Sequence, residues 1–594
     1  MSILGNRVVR KEDPKLLTTG GTYVDDLPLA GAGFVTYVRS TMAHARIVEL
    51  DVEEARLAPG VLGVFTGADI AADLGTVPFD MVVLNQQMVR PWMATDVVRY
   101  VGEPVAMIVT EERYQGEDAA ETVFVEYDPL PPLVDPEVAL TGELLLFPDA
   151  GTNTAFQISG GTPDADFGEC EVVVRQRTRN QRVAPCPLEV RAAAARWTAD
   201  GRLEHWASSQ GSHSVRDTLA AVYGLEKSQV RVVTPDVGGG FGAKGSSYPE
   251  EFLLGWAAQR LGRPIKWTET RSESMLNLGH GRGQVQDLEI GGTRDGRILV
   301  YRLRVVQEAG AYPRMGALLP FMTRAMLTGV YDIPTAEIVT TSVVTNTTPT
   351  VAYRGAGRPE AAAAIERAVD LFAAEIGIDP AEVRRRNAIA PDRFPFSTPI
   401  GTTYDSGAYE AALDKALAAA GYDDLRKEQQ RRREAGDTRQ LGIGLSLYVE
   451  ITGGGPSEEF AAITVRPDGT VLARTGTSPH GQGHDTSWAM LISDRLGVPI
   501  DDIEVVHGDT DVVPQGGVTG GSRSLQVGGV AMHQAAGEVV ERATQVAADL
   551  LEAAIDDVVL DTDAARFHVA GTPAIGRSWA EVAAAVDAEA GLAV

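Results

Sequence analysis

The apolar residues of this chain fall in short runs separated by turn-forming positions. Residues 61–65, 105–109 and 123–127 bunch or alternate apolar side chains over strand length, which predicts three strands. Between the last two, EERYQGEDAAETV predicts a helix over 111–123. An irregular polar opening, GNRVVRKEDPKLLTTGGTYVDDL, precedes them, and the whole reads as a compact α+β unit ending near Asp135. The proline-rich DPLPPLVDP (128–136) is stiff and extended, as suits the exit from a domain.

Farther on the pattern repeats. An Asp200-Gly201 hairpin signal leads through LEHWA to Gln210, a helix over 214–223, a Gly-Leu pair, the strand VRVVTPD and the glycine loop VGGGFGAKG (237–245). Asp468-Gly469 then leads through TVLARTG to Gln482, a helix over 485–496, a Gly-Val pair, the strand IEVVHGD and a second loop, GGVTGGSRS. Gly224 matches Gly497 and Asp236 matches Asp509, both pairs 273 positions apart (224 to 497, 236 to 509). Two such halves are expected to close on one ligand, each supplying an amide side chain, Gln210 or Gln482, and a nest of backbone N–H groups. Between them, AYRGAGRPEA opens a helix with Pro359 in its first turn and an apolar face of Ala364, Ile365, Ala368, Leu371 and Phe372. Arg354 lies just upstream, where a helix N-terminus and a planar cation together attract an anion.

The glycine loops do not fit the commonest templates. Lys244 is preceded by Ala243 and followed by Gly245, so the Lys-Ser/Thr of a P-loop is missing, and GAGRPE and GQGHDT lack the third glycine of a dinucleotide fingerprint. Composition narrows the classes further. The 594 residues predict about four domains at ~150 residues each. With 81 acidic against 53 basic side chains the net charge is -28, which argues against nucleic-acid and anionic-membrane surfaces. No apolar run approaches the ~20 residues of a membrane span, and the charged start lacks a signal-peptide core, so a cytoplasmic location is expected. Cys170 and Cys186 are the two cysteines, too few for an iron–sulfur cluster held by four thiolates. No HExxH and no G-x-S-x-G occurs, which removes zinc and serine hydrolases.

The ordered set EDPKLLTTGGTYVDD, VRYVGEPVAMIV, GGGFGAK, AYRGAGRPEA, GQGHDT and GGSRS resembles the molybdenum-binding large subunits of the xanthine oxidase family, the aldehyde oxidase and carbon monoxide dehydrogenase type. The resemblance runs almost end to end. It implies an α+β architecture: an N-terminal segment and aldehyde-oxidase "hammerhead" domain (1–136), then two related molybdopterin-binding domains (137–400 and 401–594), the second incomplete. It implies that Gln210 faces the metal's oxo ligand, that Phe241 with Gly239, Gly240 and Gly242 lies beside the metal, and that Arg354 is the arginine of the central loop. Gln482 and Gly483 would meet the pterin, Gly521 would abut the metal, and Ser522, Arg523 and Ser524 would line the pterin or its pyrophosphate.

The family's cofactor is a molybdenum–molybdopterin, here expected in the cytosine dinucleotide form, and its reaction hydroxylates a small-molecule substrate with oxygen from water. Electrons leave through two [2Fe-2S] clusters and usually FAD, so an iron–sulfur subunit and a flavin subunit are expected as partners, in a dimer of heterotrimers. No catalytic residue is found in this chain: the family's general-base glutamate is expected beyond Val594, on a separate C-terminal polypeptide or a longer chain. The other reading is a non-catalytic paralogue or assembly scaffold. Two departures narrow the task. Gly355 stands where copper-containing carbon monoxide dehydrogenases place a cysteine, and Gly245 where purine-type enzymes place an acid, which leaves an aldehyde or an N-heterocycle as the expected substrate.

Overall fold

The computed structural model describes residues 2–78, 81–245, 248–453, 458–587 and 589–594. A seven-stranded sheet runs in the order Val230–Val233, Leu203–Ala207, Ala192–Trp197, Ile265–Thr268, Gly33–Arg39, Pro104–Thr110, Val61–Thr66. Its centre is set by four buried alanines. Ala193 and Ala195 pack against the Pro249–Leu261 helix side, while Ala192 and Ala194 face Val24 and Leu27 of the opening segment, the two-residue period of a strand covered on both faces. The sheet crosses the boundary placed at residue 136. Gly33 and Phe34 pair in parallel with Ile265 and Lys266, and a side chain at Gly33 would lie 2.8 Å from a Val109 methyl group, so glycine permits the join.

The three N-terminal strands occur as Val61–Thr66, Pro104–Thr110 and Phe124–Pro129, with the helix at Arg113–Glu121. The proline-rich segment is tied down: Phe124–Pro129 pairs with Ala45–Asp51, and Leu133 exchanges hydrogen bonds with Asn346, through the Asn346 backbone N–H and side chain. A five-stranded sheet, Thr154–Gly161, Thr335–Val344, Ile298–Gly310, Gln284–Gly292 and Val172–Asn180, is covered by the Arg358–Ile376 helix. That helix buries Ala364, Ile365, Ala368 and Phe372 as the apolar face predicts, and also Glu366, which binds Arg384 and the Tyr331 hydroxyl. Leu371 is only half-buried.

Both repeats adopt one topology. Leu203–Ala207 runs antiparallel to Ala192–Trp197 and parallel to Val230–Val233; Val471–Thr475 runs antiparallel to Ala461–Val465 and parallel to Ile503–Val506. The helices follow at Ser212–Tyr223 and His484–Leu496. Strands predicted to reach Asp236 and Asp509 stop at Val233 and Val506 because the chain beyond them pairs across the halves. Thr234 N–H donates to Gly508 O at 2.8 Å, Thr510 N–H to Val232 O at 3.1 Å, and Arg231 clasps Asp509 through two bonds of 2.7 and 3.1 Å. The site residues hang from this junction.

Candidate functional site

The 237–245 loop takes left-handed backbone at Gly239 (φ 98°), Phe241 (φ 56°) and Gly242 (φ 102°). Its glycines were expected to admit a ligand; they first admit the chain itself. A side chain at Gly240 would lie 2.5 Å from Gln210 Oε1, one at Gly242 2.6 Å from Ala352 O, and one at Gly238 2.5 Å from Glu189 Cβ. Beneath the loop, Lys244 spends its three donors on Glu189 O (2.8 Å), Glu189 Oε2 (2.9 Å) and Ser208 Oγ (2.8 Å). The same Glu189 oxygen accepts from Gly238 N–H at 2.7 Å. Burial lowers the Lys244 pKa and the Glu189 carboxylate opposes that shift, so the lysine is a strut under the loop.

Gln210 is buried where the two halves touch. Its Nε2 donates to Thr519 O (2.8 Å), Gly242 N–H donates to its Oε1 (2.8 Å), its backbone N–H donates to Lys244 O (3.0 Å), and Thr519 N–H donates to its backbone carbonyl (2.9 Å). It thus joins the first glycine loop to the second. An amide nitrogen carries two hydrogens. Side chains at Gly245 and Gly520 would lie 3.6 and 4.0 Å from this one, so their absence leaves its flank open.

Phe241 and Arg354 meet twice. Arg354 N–H donates to Phe241 O at 2.8 Å, and the exposed guanidinium stands 5.8 Å from the centre of the Phe241 ring. Gly355, Ala356 and Gly357 follow with φ of 98°, 47° and 97° before the helix begins at Arg358. The anion place expected at this helix start is already taken: Glu360 Oε2 accepts from Gly357 N–H at 2.9 Å, so the chain caps its own helix with a carboxylate.

The second half is arranged differently. Gln482 is exposed; its Oε1 accepts from His480 N–H (2.6 Å) and its Nε2 lies 2.9 Å from the His480 ring. Gly483, with φ 81°, caps the His484–Leu496 helix. Gly521 (φ 68°) and Ser522 (φ 56°) form a left-handed pair, with Ser522 Oγ donating to Glu450 at 3.1 Å. Arg523 is buried on Glu459 at 2.7 Å, and Ser524 begins the 524–529 turn of helix. The structure therefore gathers Gln210, Gly239, Gly240, Phe241, Gly242 and Arg354 into one cluster and reaches the second loop through Thr519, while the Gln482 side chain bonds within its own turn. Glu189, Thr519, Arg282, Glu360 and Glu459 hold these loops and went unnoticed in the sequence. Glu360 alone had a local signal, an acid three residues after a glycine at a helix start.

A cleft of about 990 Å³ opens between residues 10–16, Gly238 and Gly239, and the His480–Gly483 turn. In its wall burial pushes Asp485 up to about 6 and His507 down to about 4. The Nδ1 of His507, one Asp485 oxygen, Glu189 Oε1 and the nearby Ser478 Oγ are buried without hydrogen-bond partners. Glycine backbone and unsatisfied polar atoms at this edge suit a hydrogen-bonding heterocycle, while the rest of the wall is mainly acidic (Glu12, Asp25, Asp26, Asp236, Asp501, Glu504) and Gln210, Phe241 and Arg354 do not line it. Among the described residues no group of three or more His, Cys, Asp or Glu could hold a metal ion.

Comparison with known proteins defines the class. Residues 146–388 and 415–594 match the family described as "Molybdopterin cofactor-binding domain", and residues 18–131 match "Aldehyde oxidase and xanthine dehydrogenase, a/b hammerhead domain". The chain is 36% identical to the carbon monoxide dehydrogenase large chain of Afipia carboxidovorans, over 98% of this chain and 75% of that one. It is 37% identical to 6-hydroxypseudooxynicotine dehydrogenase complex subunit gamma of Paenarthrobacter nicotinovorans (96% and 72%). The crystal structure of quinoline 2-oxidoreductase from Pseudomonas putida 86 superposes with a TM-score of 0.93 at 35% identity, covering 99% of this chain and 78% of that one. This chain belongs to the molybdenum-binding large subunits of the xanthine oxidase family: a hammerhead domain followed by two molybdopterin-binding domains, in a molybdenum-dependent oxidoreductase. No helix among the described residues is long and apolar enough to cross a membrane.

Proposed function

We propose that this chain is the molybdenum subunit of a hydroxylase acting on an N-heterocycle or an aldehyde, and that carbon monoxide is not its substrate. The observation that carries this reading is Gly355. At φ 98° it sits in backbone that side chains rarely adopt, and a Cβ there would fall well inside contact distance of the Pro359 ring. A cysteine directly after the loop arginine would be strained in this turn, and the sequence carries none there. The quinoline and pseudooxynicotine enzymes named above support the heterocycle side of the choice.

When bound, a molybdenum–pterin centre supplies two-electron oxidation with water as the source of oxygen. The residues proposed to hold it are Gln210, Gly239, Gly240, Phe241, Gly242, Arg354, Gln482, Gly483, Gly521, Ser522, Arg523 and Ser524. Gln210 presents an amide hydrogen between the two loops, Phe241 and Arg354 form an apolar face with a cationic rim for a flat substrate, and the backbone N–H groups of Gly239 and Gly240 add fixed positive dipole ends, that of Gly242 being taken by Gln210 Oε1. The cofactor is proposed in its cytosine dinucleotide form. An iron–sulfur subunit and a flavin subunit are proposed to take the electrons, in keeping with a relative named as one subunit of a complex. The general base is proposed to come from sequence other than these 594 residues.

The test is purification of the complex from its native host, with molybdenum, cytidine monophosphate, iron and flavin measured. Quinoline-type substrates, aldehydes and carbon monoxide are then assayed in ¹⁸O-labelled water. Label in a hydroxylated heterocycle or acid supports the reading; oxidation of carbon monoxide alone overturns it. A complex that assembles without molybdenum or pterin is instead a scaffold.

A further inference from the structure

We infer that Arg282 is the positioning residue that holds the Tyr353–Gly357 turn, and with it Arg354, against the Phe241 loop. Arg282 lies outside both repeats, at the end of GHGR, and is itself in left-handed backbone (φ 63°). For a long side chain that conformation costs on the order of 1–2 kcal/mol and persists only where the surroundings over-determine it. They do. The guanidinium donates to Tyr353 O at 2.7 Å and to Arg354 O at 2.6 Å, a fork across two successive carbonyls. It lies 4.8 Å from the centre of the Tyr353 ring and 3.6 Å from Glu360 Oε1, whose other oxygen caps Gly357. Gly281 permits the approach, since a side chain there would collide with Tyr353 Cβ.

The turn it grips has bonds of its own, Ala356 N–H to Tyr353 O (2.8 Å), Arg358 Nε to Gly355 O (2.8 Å) and Thr323 Oγ1 to Gly357 O (3.0 Å), while Arg282 serves Arg354 O. Three successive residues with positive φ cannot settle into helix or strand, so the turn is held by bonds of this kind and not by a ladder. Arg282 adds donors for the two carbonyls just before them, Tyr353 O and Arg354 O, and Arg354 N–H reaches Phe241 O. A lysine replaces the planar fork with a compact, freely rotating ammonium on a flexible stem, so it does not fix the spacing of the two carbonyls as the guanidinium does. The inference rests on the reading of Arg354 and Phe241 as site residues, and the experiment separates the two.

Arg282→Gly is the informative variant, because glycine accepts φ 63° without strain and leaves a guanidinium-shaped hole. In the intact complex, amide exchange across residues 353–357 is expected to quicken at least about tenfold while exchange elsewhere and molybdenum content stay unchanged. The kcat is expected to fall ~10²-fold with KM little altered, the effect of a displacement on the order of 1 Å. Guanidinium ion at non-denaturing concentration restores both, and Arg282→Lys restores neither fully. Unchanged exchange in the turn overturns the inference. Quickened exchange with unchanged kcat leaves the hold standing and removes the turn from the site.

Discussion

Gln210 and Thr519 are bonded to each other in both directions, side-chain Nε2 to Thr519 O at 2.8 Å and Thr519 N–H to Gln210 O at 2.9 Å. A residue from the first repeat thereby fixes the second glycine loop. Gln210→Ala strands Gly242 N–H and Thr519 O in a buried place, at roughly 1–3 kcal/mol for each unsatisfied group. The variant is expected to lower the denaturation midpoint of the complex and to slow turnover. Gln210→Glu keeps an acceptor for Gly242 but sets a carboxylate against Thr519 O, and is expected to be the worse of the two. Equal midpoints for wild type and both variants would remove Gln210 from the junction.

Gly355→Cys tests the shape argument directly. The new Cβ meets the Pro359 ring and must adopt a positive φ, so a loss of about 1–3 kcal/mol is expected. Adding Pro359→Ala removes the collision and should recover part of that loss, leaving the backbone strain. Neither variant, supplied with copper, is expected to oxidise carbon monoxide at the wild-type rate for its own substrate. Full stability of Gly355→Cys alone would mean that the turn is not held as described.

Much of this architecture was legible in the chain, for reasons that can be named. Each repeat is built from local signals: a hairpin turn, a strand, a glycine-stopped helix and a second strand all depend on neighbours in sequence. Where the strands end was not legible, because Val233 and Val506 yield to pairing between Thr234 and Gly508, partners that no short window contains. The same limit hid the parallel join of Gly33–Arg39 to Ile265–Thr268, and the grip of Arg282 on Tyr353 and Arg354. Gln210 and Gln482 occupy like places, each two residues before a helix, yet one is buried against Thr519 and the other is exposed. Repeat position set the backbone; the opposing half decided the environment.

Phe241 separates backbone strain from ring chemistry. Phe241→Ala keeps the carbonyl that accepts from Arg354 but removes the ring beside the guanidinium, so molybdenum content is expected to hold while preference between bulky and small substrates shifts. Phe241→Gly also relieves φ 56° and is expected to be the more stable of the two by up to ~1 kcal/mol, offset in part by the freer unfolded chain. Relative kcat/KM over a substrate series, beside melting of both variants, reads the two effects apart. An unchanged preference would place Phe241 away from the substrate.

Asp485 gives the sharpest pH dependence. Burial raises it to about 6, and the carboxylates of Glu12 and Asp236 add to that, against Lys11 and Lys15. The folded value lies above the ordinary 3.8, so the native chain holds a proton that the unfolded chain releases. Stability from this group is therefore present at low pH and lost as pH rises through about 6. His507 and His484 act oppositely: burial lowers both to about 4, so their contribution is lost as pH falls from 6.5 towards that value. A bare melting curve mixes the two. Asp485→Asn isolates the carboxylate: it should match wild type in thermal midpoint near pH ~4 and exceed it increasingly up to pH ~7, then run parallel. A gap that is constant with pH would mean that Asp485 ionises as readily in the folded chain as in the unfolded one.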